Sequence, residues 1–498
     1  MSTTSDQAPV AAVIVLAAGG GTRMKSKLSK LLHTVAGRPM LSYAVDAAAE
    51  LRPERLVVVV GHLREQVEAH LAESYPQCTI VEQPVRNGTG GAVACAMPEL
   101  PETGEVVVTY GDVPMLDGTT LSQLVAEHRA SRNACTVLTA VVPDASGYGR
   151  IVRDGEQVSR IVEHKDASER ERQINEINSG IYVFDGELLR AGLPTLKPNN
   201  VQGELYITDL IAYAREQDQR VGAFTTEDVW QTEGVNDRVQ LARMNAEVNR
   251  RLVEHWMREG VTVADPNTTW IEHGVDIEPD VTILPNTQLL GATSIATGAL
   301  IGPDTTLRDV EVGENSHVVR THGELSVLGA GCEVGPYSRL RPGTVLGDHA
   351  KIGSFVETKN AQIGAFSKVP HLTYCGDAYI GEHVNVGAGT IFANYDGARK
   401  FPTHLGDHVF IGSNTVLVAP LDVGSGAFVA AGSAITDDVP PGGLAVARGR
   451  EYVSEGWVQR RRAGSQAAEA AAASDGEIHE KVAEARARLQ EESQGTGQ

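Results

Sequence analysis

The sequence lacks the usual marks of an exported or membrane-spanning chain. Its five cysteines, at positions 78, 95, 135, 332 and 375, include no CxxC pair, and their odd number cannot close a full disulfide set. A reducing compartment is therefore expected. Residues 1–10 carry no basic segment, and the longest apolar run, residues 10–18, is shorter than the roughly 18 residues that a membrane span requires. These absences predict a cytoplasmic protein.

Basic residues are also scarce. The chain has 43 Lys plus Arg against 64 Asp plus Glu, a formal net charge of -21. Nucleic acids are gripped by stripes of Lys and Arg, so no nucleic-acid partner is expected, and anionic ligands must meet local basic clusters. With 498 residues, the chain is too long for one ordinary hydrophobic core, which predicts two or more domains.

In the first half, apolar runs alternate with helical patterns. The runs at residues 12–16, 56–60, 79–81, 106–109 and 136–142 predict buried strands of a parallel α/β sheet, with ligands at the carboxyl ends of the strands. Residues 237–260 then place apolar side chains at helical spacing, which predicts one long helix ending at Gly260.

Beyond that helix, one aliphatic residue recurs every six positions. This period predicts a parallel β-helix, whose coils bury their interior by stacking. It breaks at residues 318–328 and 392–405, where we expect loops to leave the coil, while the Ala- and Glu-rich residues 460–498 predict a frayed helix or flexible tail. The periodic positions are Ile277, Ile283, Leu289, Ile295, Ile301 and Leu307, then Leu328, Val334, Leu340, Leu346 and Ile352, and later Leu405, Ile411, Leu417, Val423, Val429 and Ile435.

Two motifs in the first half suit a nucleotide and a metal ion. The segment LAAGGGTRM, residues 16–24, follows a strand directly, so its glycines let backbone N–H groups approach phosphates, and Arg23 and Lys30 can neutralise a triphosphate. The alternative is an ordinary strand-to-helix turn. Asp112, in YGDVP at residues 110–114, ends another strand and can hold Mg²⁺; its alternative role is as a helix cap.

The second half places two cations and a histidine among the coils. Arg341 and Lys359 lie 18 residues apart, which is one full coil of three six-residue sides, so both can face one groove and bind a phosphate monoester. His371 can accept a proton from an amine that attacks a thioester. The alternative is that His371 only packs a turn.

These motifs resemble those of known enzyme families. LAAGGGTRM followed by LSK at residues 28–30 is similar to the signature of the sugar nucleotidyltransferases, with Ser29 in place of proline and Gly91 where histidine commonly follows. Residues 13–457 resemble the bifunctional N-acetylglucosamine-1-phosphate uridyltransferase/glucosamine-1-phosphate acetyltransferase family, through RLRPG at 339–343, ETK at 357–359, HLTYCGDA at 371–378 and NYDGARK at 394–400.

The resemblance implies an α/β protein built from successive domains. A Rossmann-like nucleotidyltransferase domain would span residues 1–238, a linker helix 239–260, a left-handed parallel β-helix acetyltransferase domain 261–459, and a tail 460–498. It also implies a homotrimer whose acyl sites lie between neighbouring prisms.

It further implies two sets of site residues. In the first, Arg23 and Lys30 are catalytic, and Asp112 with Asn236 binds Mg²⁺. UTP and the sugar would contact Leu16, Ala17, Ala18, Gly19, Lys30, Gln83, Gly88, Thr89, Tyr110, Gly111, Asp112, Gly149, Glu163, Asn178 and Asn236. In the second, His371 and Asn394 are catalytic, the sugar phosphate meets Arg341, Lys359, Tyr374, Asn385 and Lys400, and acetyl-CoA meets Ala388, Asn394, Tyr395, Ser413, Ala431 and Arg448.

The implied reaction sequence is acetylation of glucosamine 1-phosphate by acetyl-CoA, followed by transfer of UMP from UTP to the product with Mg²⁺. Two alternatives remain open. One is a nucleotidyltransferase whose β-helix only assembles the oligomer, as in the hexose-1-phosphate guanylyltransferases. The other is a sugar-nucleotide sensor without activity.

Overall fold

A computed structural model describes residues 9–200, 202–474 and 480–495. The chain forms two compact units, Met1–Ala445 and Val446–Gln498. Residues 1–8, on which the expectation of no targeting segment partly rests, lie outside the described residues. In the described ranges, no helix is long and apolar enough to cross a membrane.

The first part of the larger unit alternates strands with helices. Its strands are β1 (Ala12–Ala17), β2 (Thr34–Val35), β3 (Arg38–Pro39), β4 (Arg55–Val60), β5 (Thr79–Glu82), β6 (Glu105–Tyr110), β7 (Cys135–Val141), β8 (Arg150–Asp154), β9 (Gln157–Val162), β10 (Glu176–Asp185) and β11 (Val221–Thr226). Its helices are α1 (Met40–Glu50), α2 (Arg64–Ser74), α3 (Thr89–Ala96), α4 (Gly118–Ser131), α5 (Glu169–Arg172), α6 (Gly186–Gly192), α7 (Asp209–Glu216) and α8 (Arg238–Arg258).

The main sheet has the strand order β11-β7-β10-β6-β1-β4-β5, and each of the five predicted strands is present. The five predicted strands all run in one direction, but the sheet also contains β10, which the sequence analysis did not predict and which runs antiparallel to both β6 and β7. Residues 180–184 of β10 are all buried, as they would be in a parallel strand. The apolar pattern of a strand covered on both faces therefore does not reveal its direction.

The predicted long helix is α8. Asp237 caps its start by accepting hydrogen bonds from the backbone N–H groups of Val239 and Gln240. Buried Asn249 ties α8 to the first coil, since its Nδ2 donates to the Thr269 carbonyl and its Oδ1 accepts from the Ile271 N–H, each at 2.9 Å.

The rest of the larger unit is a parallel β-helix, as the six-residue period predicted. Its strands are β12 (Thr262–Val263), β13 (Trp270–Ile271), β14 (Asp276–Ile277), β15 (Thr282–Ile283), β16 (Thr287–Leu290), β17 (Ser294–Ile295), β18 (Leu300–Ile301), β19 (Thr305–Val312), β20 (His317–Val318), β21 (Thr321–Leu328), β22 (Glu333–Val334), β23 (Ser338–Leu340), β24 (Thr344–Leu346), β25 (Lys351–Ser354), β26 (Glu357–Ile363), β27 (Lys368–His371), β28 (Tyr374–Ile380), β29 (Asn385–Val386), β30 (Ile391–Ala393), β31 (Thr403–Leu405), β32 (Phe410–Ile411), β33 (Val416–Val418), β34 (Leu421–Val423), β35 (Phe428–Val429), β36 (Ala434–Ile435) and β37 (Leu444–Ala445).

Strands of successive coils stack in parallel. One sheet contains β12-β15-β18-β20-β22-β25-β27-β29-β32-β35-β37, and a second sheet contains the other strands of the β-helix. The periodic aliphatic residues point inward, and their side chains join one continuous core that includes the fully buried Ile301, Ile352 and Ile411. Stacking of these residues gives the coil its interior.

Of the two predicted loops, the structure contains only the second. Residues 321–328 form β21, which pairs with β19 in the registers Thr306↔His322 and Val312↔Leu328, so this coil has 16 residues and is shortened rather than extended. The left-handed backbone of Leu325 (φ 44°) makes its tight corner. Residues 394–402, between β30 and β31, do leave the regular coil, and the loop closes where the Phe401 N–H donates to the Asn394 carbonyl at 2.9 Å.

The smaller unit contains α9 (Trp457–Arg461), α10 (Gln466–Ala473) and α11 (Glu480–Gly495). The predicted tail, residues 460–498, is thus largely helical where it is described. Residues 475–479 and 496–498 lie outside the described part of the chain.

Replacing Asn249 by alanine removes the side-chain hydrogen bonds to two buried backbone groups, the Thr269 carbonyl and the Ile271 N–H. We expect the free energy of unfolding to fall by about 2–4 kcal/mol, measured by urea unfolding followed by circular dichroism. Arg243→Ala, at an exposed position of the same helix, is the control, with an expected change below about 0.5 kcal/mol. Equal effects of the two substitutions would contradict the structural role of Asn249.

Candidate active sites

A cavity of about 540 Å³ lies at the carboxyl ends of β1 and β6. Ligand sites of α/β sheets are expected at this edge. Most of the residues predicted to bind the nucleotide line it, namely Leu16, Ala17, Ala18, Gly19, Lys30, Gln83, Gly88, Thr89, Tyr110 and Asp112. Gly111 lies beside them, since its N–H donates to the Leu16 carbonyl at 3.1 Å.

The two departures from the nucleotidyltransferase signature have local explanations. Ser29 has a φ of -53°, which a proline could also adopt, and its N–H donates to Gln66 Oε1 at 2.8 Å. This bond holds the turn that presents Lys30. A Cβ atom on Gly91 would collide with the Asn87 amide, which accepts a hydrogen bond from Gln83 Nε2 at 3.1 Å. Asn87 therefore takes the space that a larger residue at position 91 would need.

Asp112 and Asn236 face one cation. The Lys30 ammonium donates to Asp112 Oδ2 and, at 3.3 Å, to Asn236 Oδ1. The side chains of Lys30 and Asp112 are only 10% and 17% exposed. A carboxylate and an amide oxygen close enough to share one ammonium are also close enough to share Mg²⁺, which commonly takes one or two protein ligands plus phosphates. In the described ranges, no group of three or more His, Cys, Asp or Glu could hold a metal ion.

Arg23 is not brought to this cavity. Its side chain is exposed, and it does not line the cavity wall. Sequence reasoning missed Arg86 and Glu204, which do line the wall. Arg86 lies between Gln83 and Gly88 in the sequence, and that proximity was the available signal. Glu204 had no signal, because it is remote in the chain from the other lining residues.

Gly149, Glu163 and Asn178 converge beside Tyr110. A Cβ atom on Gly149 would lie 3.3 Å from Glu163 Oε1 and 3.4 Å from the Asn178 Cβ. Burial, followed by the charges of Asp166 and Asp209, raises the pKa of Glu163. Asn178 Oδ1 already accepts from the Gly180 N–H at 3.0 Å and the Tyr182 hydroxyl at 2.9 Å, which leaves its NH₂ group to donate to a ligand.

Arg150, which sequence reasoning also missed, joins two loops near this cluster. Its guanidinium is almost fully buried and donates to the Tyr148 carbonyl, and it lies 3.3 Å from His164 Nδ1. Tyr148 and His164 are the neighbours of Gly149 and Glu163. Arg150 thus holds together the backbone segments that carry those two residues.

In the β-helix, His371 begins a column of residues along one corner. The His371 carbonyl accepts from the Gly389 N–H at 3.2 Å, the Ala388 carbonyl from Asn414 at 2.7 Å, and the Ser413 carbonyl from Gly432 at 2.8 Å. His371 and the predicted acetyl-CoA contacts Ala388, Ser413 and Ala431 therefore follow one another up the corner. An extended ligand lying in this column would reach the exposed His371 ring.

Three cations gather at the end of an adjoining face. Lys359 pairs in register with Gly376, and the Arg341 N–H donates to the carbonyl of the neighbouring Thr358 at 3.0 Å. The ammonium of Lys400, and then the charge of Arg341, lower the pKa of Lys359. Only Arg341 has a carboxylate partner in the described part of the cluster, Glu357 at 2.8 Å. Such a cluster suits a phosphate dianion.

Tyr374 and Asn394 lie next to this cluster. The Tyr374 hydroxyl lies over Gly376, close to where a Cβ atom would be. Asn394 is 5% exposed, and its Nδ2 donates to Asp377 Oδ2 at 2.5 Å and lies 3.4 Å from the Tyr374 hydroxyl. Sequence reasoning missed Asp377, although it lies inside the HLTYCGDA segment.

Three other predicted residues belong to other parts of the structure. Asn385 lies on β29, in the sheet that does not contain Arg341, Lys359 or Tyr374. Tyr395 is exposed and donates to the Gly397 carbonyl within its own loop. Arg448 belongs to the smaller unit.

Comparison with known proteins agrees with this architecture. Residues 13–152 match the MobA-like NTP transferase domain, and residues 402–437 match the hexapeptide repeat of succinyl-transferase. The chain is 55% identical over 469 residues to the bifunctional protein GlmU of Pseudarthrobacter chlorophenolicus, covering 93% of this chain and 95% of that protein. It is 55% identical over 473 residues to GlmU of Rhodococcus opacus, covering 93% and 94%.

A third relative, GlmU of Streptomyces avermitilis, is 53% identical over 465 residues, covering 93% of this chain and 96% of that protein. Among solved structures, a UDP-glucose pyrophosphorylase complexed with UDP-glucose aligns with a TM-score of 0.40 and 18% identity, covering 49% of this chain and 99% of that chain.

Removing the Lys400 ammonium should raise the pKa of Lys359, because a neighbouring positive charge disfavours the protonated form. We expect Lys400→Ala to shift the titration of Lys359 to higher pH, followed by NMR of ¹³C-methylated lysines. Lys351→Ala, whose ammonium pairs with Glu333, is the control and should leave it unchanged. A Lys359 titration unaltered by Lys400→Ala would show that the two ammonium groups do not meet.

Proposed function

This chain belongs to the family of the bifunctional GlmU proteins, and from that premise we propose which of its residues perform each of two reactions. The enzyme acetylates glucosamine 1-phosphate with acetyl-CoA, then transfers UMP from UTP to N-acetylglucosamine 1-phosphate and releases pyrophosphate. We assign uridylyl transfer to residues 1–238 and acetyl transfer to residues 261–459, joined by a linker helix at 239–260.

The cluster of Arg341, Lys359 and Lys400 is the observation that carries the acetyl-transfer assignment. A β-helix that only assembles an oligomer has no need to gather three cations at one place, where the charges of Lys400 and Arg341 lower the pKa of Lys359 although Asp377 raises it. A sugar phosphate would balance the positive charge of these groups. The cluster therefore favours a substrate site over a purely structural β-helix.

In acetyl transfer, the three cations and Tyr374 hold glucosamine 1-phosphate beside His371. The His371 imidazole accepts a proton from the sugar amine as the amine attacks the thioester carbonyl of acetyl-CoA. The tetrahedral intermediate then collapses, the C–S bond breaks, and coenzyme A leaves. Acetyl-CoA lies along the corner column of Ala388, Ser413 and Ala431, with Tyr395 and Arg448 as further contacts. Asn394 orients the amine or the developing oxyanion.

In uridylyl transfer, the cavity holds UTP against the glycine-rich turn and Gln83. Gly149, Glu163 and Asn178 hold N-acetylglucosamine 1-phosphate, with the free NH₂ group of Asn178 placed to donate to the acetamido carbonyl. An oxygen of the sugar phosphate attacks the α-phosphorus in line, and pyrophosphate departs. Lys30 and Arg23 offset charge on the leaving group, with Arg23 moving inward from its exposed position.

Asp112 and Asn236 would hold Mg²⁺. Their two oxygens suit this hard cation and already face a common ammonium. When bound, the ion would neutralise charge on the phosphates of UTP. Lys30 would then release both oxygens and turn its ammonium toward the phosphates.

We also propose a homotrimer, in the cytoplasm. The hexapeptide repeat matched at residues 402–437 supports it, because left-handed β-helices of this kind resemble homotrimers whose acyl sites lie between neighbouring prisms. A neighbouring copy would complete each acetyl-transfer site. The described cysteines, all unpaired, fit a reducing compartment.

Substitutions in the two sites should separate the two reactions. We expect His371→Ala to lower kcat of acetyl transfer by about 10²–10⁴-fold through loss of the general base, with uridylyl transfer unchanged. Asp112→Asn should lower uridylyl transfer by weakening the proposed metal site, with acetyl transfer unchanged. Each reaction is assayed by mass spectrometry of its product. His383→Ala is the control for the first variant and should retain both activities.

Mixed trimers test whether subunits share each acetyl-transfer site. His371→Ala and Asn385→Ala homotrimers should both be nearly inactive in acetyl transfer. When the two proteins are co-expressed and purified through separate tags, mixed trimers should regain up to about a third of wild-type activity, because some sites then combine two intact residues. Mixed trimers as inactive as their parents would place both residues in one subunit.

A further inference from the structure

Asp377 occupies a corner between two faces of the β-helix, immediately beside the acetyl-transfer cluster. Its backbone is left-handed (φ 50°), like that of Asn360 in the preceding coil (φ 44°). Each carboxylate oxygen of Asp377 accepts one hydrogen bond, Oδ1 from Asn360 Nδ2 at 2.9 Å and Oδ2 from Asn394 Nδ2 at 2.5 Å. The carboxylate thus links three successive coils through side chains alone.

An ionised carboxylate accepts hydrogen bonds and cannot donate them. Asp377 therefore fixes the direction of the Asn394 amide, whose NH₂ group must face Asp377 and the Tyr374 hydroxyl. Asn394 is almost fully buried, which leaves its side chain little freedom to turn. Its Oδ1 is directed the other way and accepts no hydrogen bond from any residue that the structure describes.

We propose that Asp377 is a positioning residue that makes Asn394 a hydrogen-bond acceptor for the amine of the sugar phosphate. This inference deepens the acetyl-transfer function proposed above and rests on it. An amine N–H needs an acceptor, whereas the oxyanion of the tetrahedral intermediate needs a donor. Because its NH₂ group donates to Asp377, Asn394 is left to accept a hydrogen bond from the amine. Other groups must then stabilise the oxyanion.

The acceptor aligns the nucleophile. An amine that donates one N–H to Asn394 Oδ1 and another to the His371 imidazole has its lone pair directed by both contacts toward the thioester carbon. This role governs the rate of attack rather than the binding of the phosphate. Loss of Asp377 should therefore lower kcat and leave KM for glucosamine 1-phosphate nearly unchanged, because Arg341, Lys359 and Lys400 remain.

The first test compares glycine at two neighbouring corners. Glycine suits the left-handed backbone of both, so the fold is retained while the side chain is removed. We expect Asp377→Gly to lower kcat of acetyl transfer by at least about 10-fold, as befits loss of a charge-assisted hydrogen bond at a reacting group. Asn360→Gly removes the other partner of Asp377 without touching Asn394, and should change kcat by less than about threefold.

The second test exchanges the two side chains. Asn394→Asp alone places two carboxylates in contact and should lower kcat by at least about 30-fold. Combined with Asp377→Asn, it reverses the pair: the new amide donates to the new carboxylate and still accepts from Asn360, and the charge of the cluster is unchanged. The carboxylate at position 394 again offers an acceptor to the amine, so the double variant should recover at least about 10-fold over Asn394→Asp.

A donor role for Asn394 predicts the opposite, because a carboxylate at position 394 cannot donate in either background. Failure of the exchanged pair to recover activity, or equal kcat values for Asp377→Gly and Asn360→Gly, would overturn the inference. Melting temperatures show whether Asp377→Gly folds. If it does not fold, the exchanged pair still tests the inference. If the wild-type enzyme forms no N-acetylglucosamine 1-phosphate at all, the proposed function fails instead.

Discussion

Backbone hydrogen bonding between successive coils is the constraint on which the proposed acetyl-transfer site depends. Parallel strands lie about 4.8 Å apart, so residues one coil apart in sequence become immediate neighbours in space. The register that pairs Lys359 with Gly376 also carries Arg341 beside Thr358. The same ladder stacks His371, Ala388 and Ser413 along one corner. Arg341 and Lys359 can remain together there because the stacked backbone, and not their own interaction, holds them.

The loop that leaves the coil at residues 394–402 adds what the regular ladder cannot provide. A strict repeat offers the same kind of position in every coil, whereas the loop returns Lys400 to Lys359 and starts from the buried Asn394. The hydrogen bond from the Phe401 N–H to the Asn394 carbonyl closes the loop and so holds Lys400 in this position. The regular coils therefore position Arg341 and Lys359, and one irregular segment adds Asn394 and Lys400.

In the first half of the chain, the edge of a sheet rather than a stack of coils brings the site residues together. Strands β1 and β6 end at the same edge of the sheet, which brings the glycine-rich turn, Tyr110 and Asp112 to one cavity. Asn236 reaches that cavity from the segment just before α8, and the Val235 N–H donates to the Asp112 carbonyl at 2.9 Å. The helix that follows is tied to the first coil by Asn249. Asn236 thus lies just before the start of α8, and Asn249 in the middle of the same helix contacts the first coil.

The sequence by itself determined five strands of the main sheet, the helix α8 and the β-helix, because apolar periodicity reflects which side chains must leave water. Its motifs also named most residues that line the cavity. Only the tertiary structure decided that β10 runs antiparallel, that residues 318–328 shorten a coil, that Arg23 lies outside the cavity, and that Asp377 accepts a hydrogen bond from Asn394. Which side chains are buried follows from the order of apolar and polar residues along the chain. Strand direction, corner geometry and the direction of an amide depend on which groups, remote in sequence, come within hydrogen-bonding distance.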